Sequence, residues 1–138
     1  MSDEWTNTDL VFRQVHPNHR EGEMPNSQAF NPTPKDEDML SVDDAAQVSA
    51  QGSWEHFTKT LGFKSAGTWA LSFEEITACG DLALTRKPVV DASDASKNNP
   101  AHCVVDFTQV PSKGQKRKRA QTLAINASTR GCRFEPPI

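Results

Sequence analysis

The chain has 138 residues and a formal net charge of −3, and 36% of its residues are hydrophobic. This length favours one domain with a modest core. No run approaches the roughly eighteen apolar residues of a membrane-spanning helix, no apolar segment opens the chain, and three widely spaced cysteines do not predict a disulfide framework. We therefore expect a cytoplasmic protein without a membrane segment.

Charge is divided unevenly along the chain. Residues 1–107 carry seventeen acidic and eight basic side chains, whereas residues 108–138 carry one acidic and seven basic ones, which gives net charges of −9 and +6. Such a division is typical of a surface that binds nucleic acid or an acidic protein. It is equally typical of complementary charges within one fold, and the sequence leaves both interpretations open.

The N-terminal part predicts a flexible terminus, a strand and a long loop. Residues 1–9 lack an apolar pattern and should be flexible. Residues 10–16 are rich in β-branched and aromatic side chains, which predicts a strand that ends at Pro17. Residues 17–38 contain three further prolines and little apolar content except Ala29 and Phe30, which should turn inward. Loops of this length are often functional, so we expect a binding site here.

The central part predicts two strands and two helices. Residues 39–42 favour a short strand, and Ser49 is a typical N-cap of a helix of about three turns that ends at Gly62. The apolar face of this helix should pack in the core, through Trp54, Phe57 and Leu61. Residues 67–71 predict a strand, and Ser72 with Glu75 forms the pattern of a capping box before a short helix that ends at Gly80.

The C-terminal part predicts a loop over residues 85–100, a strand over 101–107 and a long helix. The helix begins at Pro111 and Ser112 and ends at Gly131. Its buried stripe follows helical spacing and comprises Ala120, Leu123, Ala124 and Ala127. Residues 132–134 should add an edge strand. Residues 10–138 are thus expected to form a single α+β (or α/β) domain with one small mixed sheet, about three helices and a long N-terminal Pro-rich loop.

The start of the long helix also predicts a contact surface. Five of the fifteen basic residues lie between positions 113 and 119, and clustered basic side chains form positive patches. Together with the 17–38 loop, this patch predicts a surface that binds a protein partner. Its expected contact residues are Lys113, Lys116, Arg117, Lys118, Arg119, His19 and Phe30.

No motif in the sequence assembles a catalytic or metal site. A hydrolytic triad would need Ser27 or Ser41 with His102 and Asp106, yet neither serine has the G-x-S-x-G context. His16 and His19 would need His102 and Cys103 to bind zinc, and no C-x-x-C accompanies them. Cys132, between Arg130 and Arg133, is the cysteine whose surroundings favour a thiolate. We predict no metal and no cofactor, and the residues that remain as catalytic candidates are Arg13, Ser27, Ser41 and His102.

The order of several sequence blocks carries a resemblance over nearly the whole chain. FRQVHP, SQAFNPTPKDEDMLSV, LGFKSAGTWALSFEE, which includes KSAGTW, and NPAHCVVDF are followed by the basic helix ending in RG. In this order they resemble a family of small uncharacterised bacterial proteins. The resemblance implies a bacterial, cytosolic protein from a mobile-element or defence-related locus, and it implies no catalytic residue.

A more distant likeness connects the chain to ADP-ribosyl-transferring folds. In those folds an arginine or histidine on the first strand and a serine or threonine on a later strand hold the dinucleotide. The matching positions are Arg13 and either Ser27 or Ser41. The catalytic glutamate of that class has no counterpart, because helix capping accounts for Glu74 and Glu75.

We expect a non-enzymatic interaction protein, such as an accessory or immunity-type subunit that binds a protein partner, because charge segregation and a long loop are present without a catalytic set. One alternative is an ADP-ribosyltransferase-like or other nucleotide-processing enzyme. Another is a nucleic-acid-binding accessory protein that uses the basic C-terminal helix.

Overall fold

The computed structural model describes residues 5–33 and 37–137. Its regular elements are seven strands, three α-helices, a π-helical turn and short 3-10 turns among the described residues. The strands are β1 (Leu10–Gln14), β2 (Arg20–Glu21), β3 (Met24–Pro25), β4 (Met39–Asp44), β5 (Thr68–Ser72), β6 (Ala83–Arg86) and β7 (His102–Asp106). The helices are α1 (Ala50–Glu55), continued by a π-helical turn (His56–Thr60), α2 (Phe73–Ala78) and α3 (Lys113–Arg130).

Five strands form one sheet in the order β5-β1-β4-β7-β6, and β2 pairs with β3 in a separate hairpin. Every pair in the large sheet is antiparallel, for example Phe12 with Ala70 and Val42 with Cys103. The predicted α+β domain is therefore confirmed, but the sheet is antiparallel throughout rather than mixed. Side chains alternate between the two faces of such a sheet, so each strand contributes to both.

Helix α3 covers one face of the sheet and completes the core. The four residues predicted for its buried stripe are all buried, from Ala120 to Ala127. Three of them are alanines, so the helix axis can approach the sheet closely. Trp69, Phe30 and Phe107 fill the remaining space and are fully buried. The hydrophobic face of the sheet and α3 thus form the main core.

Helix α1 and the π-helical turn lie on the opposite face. The prediction that Trp54, Phe57 and Leu61 pack in the core is wrong, because all three are half-buried. Ser53 is the residue of α1 that is buried, and its hydroxyl donates to the Asp43 carboxylate at 2.7 Å. Polar contacts therefore attach this helix to the sheet, and its apolar side chains line a surface feature.

The predicted helix ends agree with the observed caps. Ser49 accepts a hydrogen bond from the backbone of Gly52, and Ser112 accepts one from Gln115. Ser72 and Glu75 form both hydrogen bonds of the predicted capping box. Gly131 follows α3 with a φ of +91°, a region where glycine avoids the strain of a Cβ atom.

Several segments differ from the sequence-based predictions. β6 lies partly within the predicted 85–100 loop and partly before it. In place of an edge strand over residues 132–134, Phe134 forms a single bridge with Thr68. The 17–38 segment contains the β2–β3 hairpin and two 3-10 turns among its described residues, while residues 34–36 lie outside the described part. In the predicted flexible terminus, of which residues 5–9 are described, Trp5 stacks on Phe73.

Ion pairs join the basic C-terminal part to the acidic N-terminal part. Lys116 pairs with Asp38 at 3.0 Å, Arg119 with Asp81 at 3.4 Å and Arg130 with Glu75 at 2.8 Å. Much of the charge segregation therefore reflects complementarity within one fold. Among the residues that the structure describes, no helix combines the length and apolar composition needed to cross a bilayer.

Two substitutions on α3 test the assignment of its faces. We expect Leu123→Ala to lower the free energy of unfolding by about 2–4 kcal/mol, because it leaves a cavity at a fully buried position. Ile125→Ala, on the same helix at 66% exposure, should change it by less than about 0.5 kcal/mol. Urea denaturation followed by circular dichroism measures both. Equal effects of the two substitutions would contradict the assignment.

Candidate functional site

A cleft of about 290 Å³ lies on the sheet face opposite α3. Its floor is formed by β1, β4 and β7, one wall by the π-helical turn and the residues after it, and the other wall by residues 89–99. We call it the aromatic lobe, because three phenylalanines line it, namely Phe12, Phe57 and Phe63. The cleft exists because α1 is short and covers only part of this face.

Ser41 and His102 are hydrogen-bonded on the floor of the aromatic lobe. Ser41 Oγ lies 3.1 Å from His102 Nε2, and His102 Nδ1 lies 2.7 Å from the backbone oxygen of Lys87. They occupy neighbouring strands on the same face, because the partner of His102 in the ladder is Asp43, two residues after Ser41. The two residues were separate candidates in the sequence, and the fold brings them together.

Asp43 attaches both walls of the cleft to the floor. One carboxylate oxygen accepts from the Ser53 hydroxyl of α1 at 2.7 Å, and the other accepts from the Asn99 side-chain amide at 2.9 Å. Ser53 also accepts from Gln14 of β1 at 2.9 Å. Because each partner comes from a different segment, this network fixes the width of the cleft.

The π-helical turn supplies the aromatic wall. Such turns are rare and recur at functional sites, because the extra residue turns side chains out of the regular helical stripe. Here the turn contributes His56 and Phe57, and Phe57 packs against Phe63 with 5.1 Å between ring centroids. Phe63 is 57% exposed, so its ring offers apolar surface to a molecule in the cleft.

A second cleft of about 330 Å³ adjoins the aromatic lobe and shares Arg13, Gln14, Phe57 and Phe63 with it. We call it the cationic lobe, because Arg13, His16, His19 and Lys64 line it and none of its described lining residues is acidic. The two lobes together are called the histidine groove here, since all four histidines of the chain line one lobe or the other.

The protonation equilibrium of His19 in the cationic lobe is perturbed. The rings of His16 and His19 lie 5.7 Å apart between centroids. Partial burial lowers the pKa of His19 below its usual value of 6.5, and the neighbouring His16 and Arg13 lower that pKa further. His16 Nδ1 accepts from the backbone of Asn18 and so caps the 3-10 turn that carries His19.

Arg13 lies where the two lobes meet. β1 and β4 are paired only at Val11 and Phe12, so the strands diverge beyond that point and Arg13 fills the gap. Its Nε donates to the backbone oxygen of Ala29 at 2.8 Å, and one terminal nitrogen donates to that of Ser41 at 2.9 Å. These contacts hold a positive charge beside the strand that carries Ser41.

The other residues proposed for a triad lie elsewhere. Ser27 is in a 3-10 turn and lines neither lobe. Asp106 accepts from the backbone and hydroxyl of Thr108 and is paired with Met39, at the far end of β7 from His102. The Lys87 carbonyl, rather than Asp106, therefore contacts the second nitrogen of His102.

The cysteines do not have the surroundings that a nucleophile requires. Burial raises the pKa of the Cys103 thiol to about 11 and raises those of Cys79 and Cys132 as well. For Cys132 this corrects the expectation of a favoured thiolate, since Arg130 pairs with Glu75 instead. Among the described residues, no group of three or more His, Cys, Asp or Glu side chains is arranged to hold a metal ion.

The predicted partner surface is only partly available. Phe30 is fully buried, so its assignment to that surface is corrected: it is a core residue that packs near α3. Lys116 and Arg119 are engaged in the ion pairs described above, and Arg119 also donates to the backbone oxygen of Gly80. Three of the predicted basic residues are exposed, namely Lys113, Arg117 and Lys118.

Much of the histidine groove was not predicted from the sequence. Four of its residues belong to no recognisable sequence motif, namely Phe12, Asp43, Phe57 and Asn99. Helical periodicity assigned Phe57 to the core. The composition carried one usable signal. The chain of 138 residues has four histidines and none of them lies in a metal-binding motif, so a common site for them could be considered from the sequence. Whether the histidines converge depends on the tertiary structure and on the strand register, which the sequence does not show.

No family model matches the chain, and neither the curated proteins nor the solved structures give a significant match. The resemblance to small bacterial proteins therefore stays a prediction.

A titration of the histidines tests the electrostatics of the cationic lobe. We expect the pKa of His19 to lie below 6.5 and to rise in His16→Asn, which removes a like charge and keeps a side-chain acceptor for the cap. NMR of the imidazole resonances measures it. Because the folded pKa is depressed, His19 should reduce stability as the pH falls through 6.5 towards the folded pKa. A His19 pKa at or above 6.5 would contradict the argument.

Proposed function

We propose that this protein binds a nucleotide, a ligand with an aromatic base and a phosphate, in the histidine groove. The observation that carries the proposal is the junction of an aromatic lobe with a cationic lobe that has no acidic residue among its described lining. Small-ligand sites are typically concave and mostly apolar, with a few convergent polar groups. The proposal takes up the nucleotide-processing class that the sequence left as an alternative.

The aromatic lobe suits a base. Phe57 and Phe63 offer apolar ring surface, and stacking of a base on an aromatic side chain contributes about 1–3 kcal/mol. The floor offers a hydrogen-bonding group at Asn99, which supports recognition of the polar edge of a base. A volume of about 290 Å³ is at the lower end for ligand sites, so it favours one base rather than a longer segment.

The cationic lobe suits a phosphate. Arg13 is positioned by two backbone carbonyls, so its charge is already in place before a ligand binds. An anion in this lobe would favour the protonated form of His19, and His16 lies beside it. Lys64 adds a charge at the rim. A phosphate in this lobe should therefore raise the pKa of His19, which gives a direct spectroscopic signal.

Binding of three related probes tests the proposal. We expect adenosine monophosphate to shift backbone amide resonances of both lobes and to bind at least about tenfold more tightly than either adenosine or ribose 5-phosphate, because each of these fills one lobe. A thermal-shift measurement with nicotinamide adenine dinucleotide at millimolar concentration tests the ADP-ribosyl-transferring class separately.

Matched variants localise the binding. Phe63→Ala should weaken adenosine monophosphate about fivefold by removing one stacking surface. Lys64→Gln should weaken it about twofold to fivefold and reduce its salt dependence. Lys118→Gln and Ile125→Ala, both exposed on α3, are the controls and should leave affinity unchanged. Absence of binding by all three probes, or equal effects of the control variants, would overturn the proposal.

A protein partner is the second candidate, favoured by the exposed basic residues of α3. Lys113, Arg117 and Lys118 are free of the ion pairs that engage Lys116 and Arg119 in the described structure. Lys113 and Arg117 line a surface depression together with Asn31 and Pro32, which belong to the 17–38 loop that the sequence predicts to be functional. In this proposal the protein is an accessory or immunity-type subunit in the bacterial cytoplasm.

A triple variant tests this second candidate. Lys113→Gln/Arg117→Gln/Lys118→Gln should leave stability nearly unchanged, because exposed charges contribute little to folding. It should abolish the recovery of any stoichiometric protein that the unmodified chain captures from its source organism. Fluorescence anisotropy with a labelled DNA duplex is the parallel measurement. Equal capture of a protein by the triple variant and the unmodified chain would exclude the basic surface as the partner-binding site. Loss of duplex binding in the triple variant would favour nucleic acid as the partner instead.

A further inference from the structure

We propose that Ser41 is a nucleophile and His102 its general base, so that the groove cleaves a phosphoester of the nucleotide it binds. This inference deepens the proposed function and rests on it for the substrate class. The reactivity of Ser41 is independent of the proposed function, because any phosphorus electrophile that reacts with serine can measure it. Its basis is the Ser41–His102–Lys87 carbonyl arrangement on the floor of the aromatic lobe.

The carbonyl of Lys87 determines which nitrogen of His102 carries the proton. A backbone oxygen only accepts hydrogen bonds, so Nδ1, at 2.7 Å from it, must be the protonated nitrogen of the neutral ring. Nε2 is then the acceptor, and the Ser41 hydroxyl donates to it at 3.1 Å. This is the tautomer that a general base needs, and in hydrolytic triads a carboxylate holds the same nitrogen.

The surroundings of Ser41 favour attack on an anionic group. Ser41 is exposed to the cleft, so an electrophile can reach its oxygen. Arg13 lines both lobes and donates to the backbone oxygen of Ser41 at 2.9 Å, so a phosphate held by Arg13 at the junction of the lobes would lie beside Ser41. Asp43 lies next to His102 across the ladder, and its negative charge would stabilise the imidazolium formed during the reaction.

The proposed reaction has two balanced steps. Ser41 Oγ forms a bond to phosphorus as its proton passes to His102 Nε2, and the bond between phosphorus and the leaving oxygen breaks as that oxygen takes the proton. Water then attacks the phosphoserine, giving its proton to Nε2, and the Oγ–P bond breaks as Ser41 regains a proton. The net reaction is hydrolysis, and it requires no oxidant or reductant.

Labelling with a fluorophosphonate tests the nucleophile without a nucleotide. In that reaction the Ser41 oxygen displaces fluoride from phosphorus and the serine proton passes to His102. We expect the label on Ser41 by mass spectrometry and no label in Ser41→Ala. His102→Gln should lower the labelling rate at least about 100-fold, as is typical for loss of a general base. Ser27→Ala, which lies outside the groove, should label like the unmodified chain.

Adenosine monophosphate separates the two proposals. If the nucleotide binds and slows labelling, both stand. If Ser41 is labelled but the nucleotide neither binds nor protects, the nucleophile stands and the nucleotide assignment fails. If the nucleotide binds but no label appears on Ser41, the nucleophile proposal is overturned and the binding proposal stands. Circular dichroism of each variant establishes that it is folded.

A cysteine substitution gives a second measurement that does not depend on His102→Gln folding. Beside His102, the thiol of Ser41→Cys should react with iodoacetamide at least about tenfold faster than that of Thr129→Cys, on the exposed face of α3. The native cysteines give a low background, because burial raises the pKa of all three thiols. Equal alkylation rates would overturn the proposal.

Discussion

A five-stranded sheet has two faces, and the described residues contain one long helix with which to cover them. Helix α3 is eighteen residues long and its buried stripe is made of alanines and a leucine, so it covers one face closely. The opposite face is left to α1 and a π-helical turn, which cannot cover it completely. Because α1 is attached through Ser53 rather than through an apolar stripe, part of the sheet beside it stays uncovered and forms the floor of the cleft. The groove is thus a consequence of how the helices are divided between the faces.

The exposed face carries polar residues where a sheet usually prefers β-branched ones. Gln14, Ser41, Asp43 and His102 all face the same side, and each has a hydrogen-bond partner in the described structure. Gln14 is almost fully buried, yet its amide bonds Ser53, Ser65 and Thr68, so its burial costs little. Stability alone does not require this set. Departures from local preference of this kind concentrate at functional positions, which supports a role for the groove.

The sequence predicted the elements better than it predicted the site. Caps and periodicity are local signals, so Ser49, Ser72 and the buried stripe around Leu123 were predicted from neighbouring residues alone. The association of Ser41 with His102 depends on the register of β4 with β7, across 61 residues of chain, and no local pattern encodes it. Helical spacing placed Phe57 on an apolar face but did not distinguish a core from a cleft wall. The sheet order determined that difference.

Some basic residues of the C-terminal part form ion pairs within the fold, and others stay exposed. Lys116 has no acidic residue four positions before or after it along α3. Its ion-pair partner therefore comes from another segment, and the fold supplies Asp38. Arg119 and Arg130 are likewise neutralised by Asp81 and Glu75. These pairs are partly exposed and each contributes little to stability, but together they orient α3 relative to the loops around the sheet. Exposed positive charge thus remains at the start of α3, and a separate group of basic side chains lines the cationic lobe. The second group lies in a cleft with aromatic walls, whereas the described lining of the depression beside α3 has no aromatic side chain, which is why the groove rather than the helix carries the leading proposal.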